Sequence, residues 1–256
     1  MNKFPRAVLI IIVAAIFAGC SGRRSAKNEA IAESDTVQVP DTGYTGIKKY
    51  FTNERLFREI TFRNGIRHGE MKTYYQGGQL YQSFWYENGL REDSAKWYYL
   101  EGPVFRSTPF VHDTIHGTQI QYYRNGKVKA KLNYVKGLRT PEIQEFTRDG
   151  KPVGNYPDIS YKLTDNYSTN GRVRVDLELT NQATKVKFYR GEFFNGVFDT
   201  ARIEPIKTAN GKATVDLKKS TTPQQDYLGI IAEIITDFGN KYFAYKKIEL
   251  PYRDLK

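Results

Sequence analysis

Hydrophobic and polar positions divide the chain into three stretches. Ala7 to Phe17 is apolar without a charge. Ser21 to about Thr45 mixes Ser, Gly, Asn, Asp, Thr and Pro with few large apolar side chains. From Ile47 onward, apolar and polar residues alternate in short runs, the period-two signature of half-buried strands. Between Ile47 and Val153 a longer period lies over the short one. Aromatic pairs recur at Tyr50-Phe51, Tyr74-Tyr75, Tyr98-Tyr99 and Tyr122-Tyr123, 24 residues apart. Four positions after the first aromatic come Gly78, Gly102 and Gly126, with Glu54 in the first copy. Then follow Leu56, Leu80, Val104 and Val128, and after them Phe62, Tyr86, Phe110 and Tyr134. Gly65, Gly89 and Gly137 close the copies, with Asp113 in the third, and Phe146 and Gly150 begin a partial fifth. A fixed period of this size signals stacked supersecondary units, none of which can bury its apolar face alone.

One unit has the physics of a hairpin. Gly77-Gly78 and Asn125-Gly126 supply the backbone freedom of tight turns. An aromatic strand such as Met71 to Gln76 precedes the turn. Leu80, Gln82, Phe84 and Tyr86 point one way on the strand after it, and Val128, Ala130, Leu132 and Tyr134 repeat that strand. A second turn, Asn64-Gly65 or Asn88-Gly89, leads into the next unit. The repeats therefore predict one long antiparallel meander, with Tyr74, Tyr98 and Tyr122 at equivalent places on it. Pro103, Pro109 and Asp113 depart from the pattern, which predicts a bulge or irregular edge in copy three.

From about Asn155 the 24-residue register stops. Short segments follow at Ile159 to Leu163, Val173 to Thr180, Lys185 to Phe193, Val197 to Ile203, Ala213 to Leu217, Leu228 to Thr236 and Tyr242 to Leu250. About seven short strands in roughly 100 residues predict a Greek-key sandwich. Asp237-Phe238-Gly239-Asn240 reads as the last hairpin turn. Leu228 to Ile235 is too uniformly apolar to choose between strand and helix by period alone. The segment resembles immunoglobulin-like or fibronectin-like modules of bacterial envelope proteins. The expected class is all-β, with a leader at 1–19, a tether at 20–46, repeats at 47–153 and a sandwich at 154–256.

Lys3 and Arg6 precede the first apolar run, and Ala18-Gly19-Cys20 end it. That run is shorter than the ~20 residues of a membrane-spanning helix. A positive start, a brief apolar core and small residues describe a secretory signal peptide. Ile16-Phe17-Ala18-Gly19-Cys20 resembles the bacterial lipobox, which implies cleavage before Cys20 and lipid on its sulfur. Cys20 is the only cysteine, so no disulfide is expected. The tether is too polar to bury enough surface to offset ordering. Asp does not follow Cys20, and Glu29, Glu33 and Asp35 are scattered. The lysine-, asparagine- and aromatic-rich style resembles lipoproteins of the Bacteroidota. These resemblances imply an outer-membrane protein, lipid-anchored and facing the periplasm.

The pieces Arg67-His68-Gly69-Glu70, Lys72 to Leu80, Ile115-His116-Gly117-Thr118 and Tyr122 to Val128 resemble MORN-type repeats, in the variant often labelled the YwqK antitoxin family. The resemblance covers 47–153. It implies a β-meander and a scaffold or interaction platform; the family label alone implies an antitoxin or immunity protein that binds one toxin.

Charge sharpens where contacts are expected. The net charge is +11, and 18 basic against 11 acidic residues lie between 47 and 153. Lys127, Lys129 and Lys131 alternate and are expected to share one strand face, opposite Val128, Ala130 and Leu132. With Tyr74, Tyr98 and Tyr122 they are the candidate interaction surface. Such a balance suits acidic protein surfaces or anionic envelope polymer or lipid; an exported protein does not normally meet nucleic acid. His112, Asp113 and His116 mimic metal-ligand spacing. However, His116 repeats the place of His68, each before a glycine, which favours a turn role over a metal site. No nucleophile elbow or phosphate loop appears, so neither cofactor nor enzymatic activity is expected. The expected function is a non-enzymatic envelope lipoprotein that binds protein or envelope material through its repeats. An antitoxin and a glycan- or cell-wall-acting protein are the alternatives.

Overall fold

The computed structural model describes residues 43–221 and 226–256. The leader, Cys20 and the tether up to residue 42 lie outside the described residues. The repeats form β1 (Gly46–Thr52), β2 (Arg55–Arg63), β3 (Ile66–Tyr74), β4 (Leu80–Glu87), β5 (Leu90–Tyr98), β6 (Val104–Val111), β7 (Thr114–Ile115), β8 (Gly117–Tyr122), β9 (Val128–Val135), β10 (Leu138–Phe146) and β11 (Pro152–Val153). They make one 11-stranded antiparallel sheet in chain order, with the short β7 pairing only β6.

Two turn chemistries alternate along it. At Asn53-Glu54, Asn64-Gly65, Asn88-Gly89, His112-Asp113 and Lys136-Gly137 both central residues have positive φ, the type I′ geometry that matches strand twist. The other turn has three residues. The Tyr75 N–H donates to the Gln79 carbonyl at 2.8 Å, and the Gly78 N–H to the Tyr75 carbonyl at 2.9 Å. The same pair of bonds recurs at Tyr99-Gly102-Pro103, Tyr123-Gly126-Lys127 and Thr147-Gly150-Lys151. Each of these glycines has positive φ, the left-handed step that ends such a loop.

Side chains then lock one copy to the next. The Tyr75 hydroxyl donates to the Tyr98 carbonyl at 2.7 Å, Tyr99 to Tyr122 at 2.9 Å, and Tyr123 to Phe146 at 2.7 Å. Phe51 has no hydroxyl and is 58% exposed. The second aromatic of the three later pairs is thus a hydrogen-bonding device that reaches 23 residues on, into the next copy.

Copy three is irregular, as its prolines predict. Pro109 has no N–H to give the ladder; its carbonyl takes the His116 N–H at 3.2 Å, and β7 ends there. Asp113 replaces the turn glycine at φ 64°. Its carboxylate accepts from the Arg91 backbone N–H at 2.9 Å and from Arg91 Nε at 2.8 Å.

The second part contains β12 (Ile159–Asn166), the helical turn α1 (Tyr167–Asn170), β13 (Arg172–Leu179), β14 (Val186–Arg190), β15 (Glu204–Ile206), β16 (Thr208–Ala209), β17 (Lys212–Lys218), β18 (Tyr227–Ile235) and β19 (Lys241–Glu249). One sheet runs β12-β13-β17-β16 and the other β15-β14-β18-β19. This is a Greek-key sandwich of immunoglobulin-like order. Val173, Val175, Leu177 and Leu179 from one sheet meet Phe188, Leu228, Ile230, Ala232 and Ile234 from the other. Residues 228–235 are strand, not helix. Their period is hidden because β18 is covered on both sides: Ile231 packs outward against Phe198, Ile203 and Phe243.

That outer cover corrects one expectation. Val197 to Ile203 is not a strand. The Asp199 carboxylate accepts the Ala201 N–H at 3.0 Å and its carbonyl the Arg202 N–H at 3.1 Å, which folds the segment into a turn. Val197, Phe198 and Ile203 are buried there nonetheless. The short edge strands β15 and β16 carry too few residues to show an alternation.

The tyrosine ladder generates a stability prediction. Tyr99→Phe is expected to cost about 1 kcal/mol, the net worth of one hydrogen bond, in urea unfolding. Tyr161→Phe, on the exposed side of β12, is expected to change nothing beyond error. Equal midpoints for both variants would show that the tyrosine ladder does not stabilise the sheet.

Candidate binding surfaces of the repeat sheet

Registers across the meander place its side chains in transverse rows. One face, here the inner face, carries the buried cluster of Ile60, Met71, Phe84, Tyr86, Ala95 and Phe110. Phe84 is its centre, with ring centroids 5.4 Å from Trp97 and 6.4 Å from Phe110. The next inner row runs through directly paired residues on every strand of the main path: Tyr50, Arg58, Thr73, Gln82, Trp97, Arg106, Gln121, Ala130, Glu145 and Val153. On the outer face the matching row is Lys49, Glu59, Lys72, Ser83, Lys96, Ser107, Ile120, Lys131 and Gln144.

Tyr74, Tyr98 and Tyr122 are the last residues of β3, β5 and β8, each just after a register shift. They stand half-buried on the outer face. The Tyr74 hydroxyl donates to Glu59 Oε2 at 2.5 Å, and the Tyr98 hydroxyl lies 3.3 Å from Ser83 Oγ. The equivalence expected from the 24-residue period holds in detail: a tyrosine reaches the residue 15 positions earlier in both copies. Burial and the Glu59 bond push the Tyr74 hydroxyl up to about 12. The same bond, with Lys49 at 3.3 Å, holds the Glu59 carboxyl below its usual range.

The lysines are only partly as expected. Lys129 and Lys131 lie on β9 and share the outer face, opposite Ala130 and Leu132. Lys127 does not join them. It closes the three-residue turn, where its N–H donates to Asn125 Oδ1 at 3.1 Å and its Nζ to the Asp149 carbonyl at 3.2 Å. Alternation in sequence ends where the turn begins. In its place strand pairing brings Lys72 and Lys96, one 24-residue step apart, into the row of Lys131. Lys72 pairs with Glu70 at 2.8 Å.

The histidines are dispersed. His112 sits at an exposed type I′ turn, with Nδ1 3.5 Å from Glu92, and His116 Nδ1 accepts the Lys136 N–H at 3.4 Å. The glycines after His68 and His116 correct another expectation. Gly69 and Gly117 lie within β3 and β8, not in turns, at φ 98° and 104°. They are bulge positions: β2 and β3 shift register opposite Gly69, where a Cβ would press to 3.3 Å on Thr61. Among the described residues no group of three or more His, Cys, Asp or Glu could hold a metal.

A site that sequence reasoning missed lies at the end of the inner row. Glu145 is 1% exposed. Its Oε1 accepts from Asn240 Nδ2 at 2.6 Å and Thr236 Oγ1 at 2.8 Å, and its Oε2 from the Tyr156 hydroxyl at 3.0 Å. Asn240 Oδ1 in turn takes Gln121 Nε2 at 2.8 Å. The turn between β18 and β19 thus sits on the meander. Ala130, fully buried between Gln121 and Glu145 in the row, leaves room for the Asn240 amide. Arg139 adds a bond from Nη2 to the Lys241 carbonyl at 3.2 Å, and its own carbonyl takes the Phe198 N–H at 2.8 Å. Burial lowers the Arg139 guanidinium from its usual range. Burial and the Glu145 carboxylate raise the Tyr156 hydroxyl, so it stays a donor.

Residues 67–88 and 115–136 match the family model described as MORN repeat variant. Each match is one hairpin, β3–β4 and β8–β9, with the three-residue turn at its middle. No curated protein matches the chain.

The Tyr74–Glu59 bond has a measurable consequence. A carboxyl with a depressed folded value stabilises the fold above its unfolded value and loses that contribution as pH falls. A phenol raised from 10.0 to about 12 stabilises below 10.0 and loses that contribution between those values. Tyr74→Phe should therefore move the Glu59 midpoint upward in a carboxyl ¹³C NMR titration. It should also remove the part of the stability that wild type loses above pH 10. An unchanged Glu59 midpoint would show that Lys49 alone holds it down.

Proposed function

We propose that the chain is a membrane-tethered, non-enzymatic scaffold that holds a protein partner on the outer face of its repeat sheet. Lipid on Cys20 would tether it at the outer membrane, facing the periplasm. The observation that carries this reading is the make-up of that face. Trp85, 48% exposed, stands between Glu70 and Glu92 in paired register. The rows beside it carry Lys72, Lys96 and Lys131, then Tyr74, Tyr98 and Tyr122. Lys96, Lys129 and Lys131 make no ion pair with any described residue. An exposed tryptophan with tyrosines and charged groups around it is the composition of an interaction hot spot and its rim. A sheet held by paired backbones presents such groups at little ordering cost. The matched repeat family fits a scaffold role.

A photo-crosslinking residue placed in cells at Lys96, at Trp85 and, on the sandwich, at Tyr161 tests this. One discrete protein adduct from both sheet positions, absent at Tyr161, is expected. Cys20→Ala should release the protein from membranes and abolish lipid labelling. Adducts from Tyr161 alone would move the function to the sandwich. Unchanged membrane partition of the Cys20 variant would refute the anchor.

A further inference from the structure

The inner row has an occupied end and an open stretch. At Gln121, Ala130 and Glu145 it is covered by the Thr236–Asn240 turn of the sandwich. One repeat earlier the same three places hold Trp97, Arg106 and Gln121, and Arg106 stands where Ala130 stands. The Arg106 guanidinium lies 4.0 Å over the Trp97 ring. Its Nε is buried without an acceptor, and the side chain forms no hydrogen bond or ion pair with any described residue. A half-buried cation lacking a counter-charge is costly, and an unsatisfied buried donor calls for an explanation. The row carries no carboxylate on the Arg106 side of Glu145; Arg58 repeats the cation two copies earlier.

We propose that the open stretch from Gln82 to Arg106 is a second docking site, for an acidic loop of a partner protein whose carboxylate side chain pairs with Arg106. Three observations support it. The stretch is continuous with a surface that already binds a turn within this molecule. The charge is the inverse of that internal contact: there the sheet offers the carboxylate of Glu145 and the turn an amide, whereas here the sheet offers the cation. The guanidinium is planar and pre-positioned by Trp97, which suits the two oxygens of a carboxylate. Gln121, paired directly with Arg106, sets an amide beside the cation, and Gln82 lies beyond Trp97 in the same row. This site lies on the face opposite the surface proposed above and does not depend on it.

The chain has two tryptophans, so Trp85→Phe in the full-length protein leaves Trp97 as a reporter beside Arg106. The probe is a disulfide-closed hairpin peptide with two glutamates in its turn, compared with the same peptide carrying glutamines and with inorganic phosphate. The acidic hairpin should change Trp97 fluorescence and bind about tenfold or more tightly than the glutamine form, the scale of a desolvated charge pair. Arg106→Gln should lose that advantage, and Arg106→Lys most of it. Lys129→Gln with Lys131→Gln on the outer face should retain it. Gln82→Glu leaves Arg106 in place and should weaken the acidic hairpin, so the test survives if Arg106 variants fold poorly. Equal binding of the two peptides, or phosphate as good as the acidic hairpin, would overturn the proposal. So would full affinity in Arg106→Lys. Loss of binding in the outer-face lysine variant would place peptide capture on the other face and overturn this site alone.

Discussion

Everything in the meander depends on the alternation of two turns that, with the two strands between them, make up 24 residues. The type I′ turns connect strands with two residues, and the glycine-ended turns with three. Because each kind fixes the register of its hairpin, residues one period apart return to the same face and the same row. The tyrosine hydroxyls bonded to carbonyls in the following copy then make that spacing energetically specific. A one-residue slip would move Phe84 and Met71 to the outer face and Lys72 and Lys96 to the inner one. The rows that could bind anything are therefore products of turn chemistry as much as of the residues in them.

An open sheet ends at two edges, and its last strands need cover. At the β10 end the cover is the sandwich, held through a buried carboxylate. Taking Glu145 out of water is unfavourable by itself. It is tolerable because three donors converge on its two oxygens, and because Asn240 also engages Gln121, so one amide spans the row over Ala130. Such a contact fixes orientation more strictly than apolar packing, since displacing it strands a charge. The sandwich is thereby placed on the inner face and leaves the outer one open.

Much of this was legible in the residues and some was not. Repeat period, hairpin turns, the equivalence of Tyr74, Tyr98 and Tyr122, and the disturbance at Pro109 all follow from local chemistry that a single strand pair decides. So did the last turn at Asp237 to Asn240. The false strand at 197–203 shows the limit: buried apolar residues can lie against a sheet without belonging to it, and only the Asp199 turn distinguishes the two. Lys127 was misplaced because alternation ignores where a turn begins. Glu145 is silent in the sequence because two of its three partners are 91 and 95 residues away, and nothing near a single glutamate announces that it will be buried. Arg106 was equally silent, since its meaning comes from being aligned with Ala130 across the sheet.

The repeat sheet and the sandwich act as one body through the Glu145–Asn240 contact. A double-mutant cycle of Glu145→Gln and Asn240→Ala, followed by urea unfolding with separate probes of each part, measures it most directly. The expected result is a coupling of about 1.5–3 kcal/mol, the range for a hydrogen bond to a charged group, with one transition in wild type and separated transitions in the double variant. Additive effects, with the two parts already unfolding independently in wild type, would contradict it.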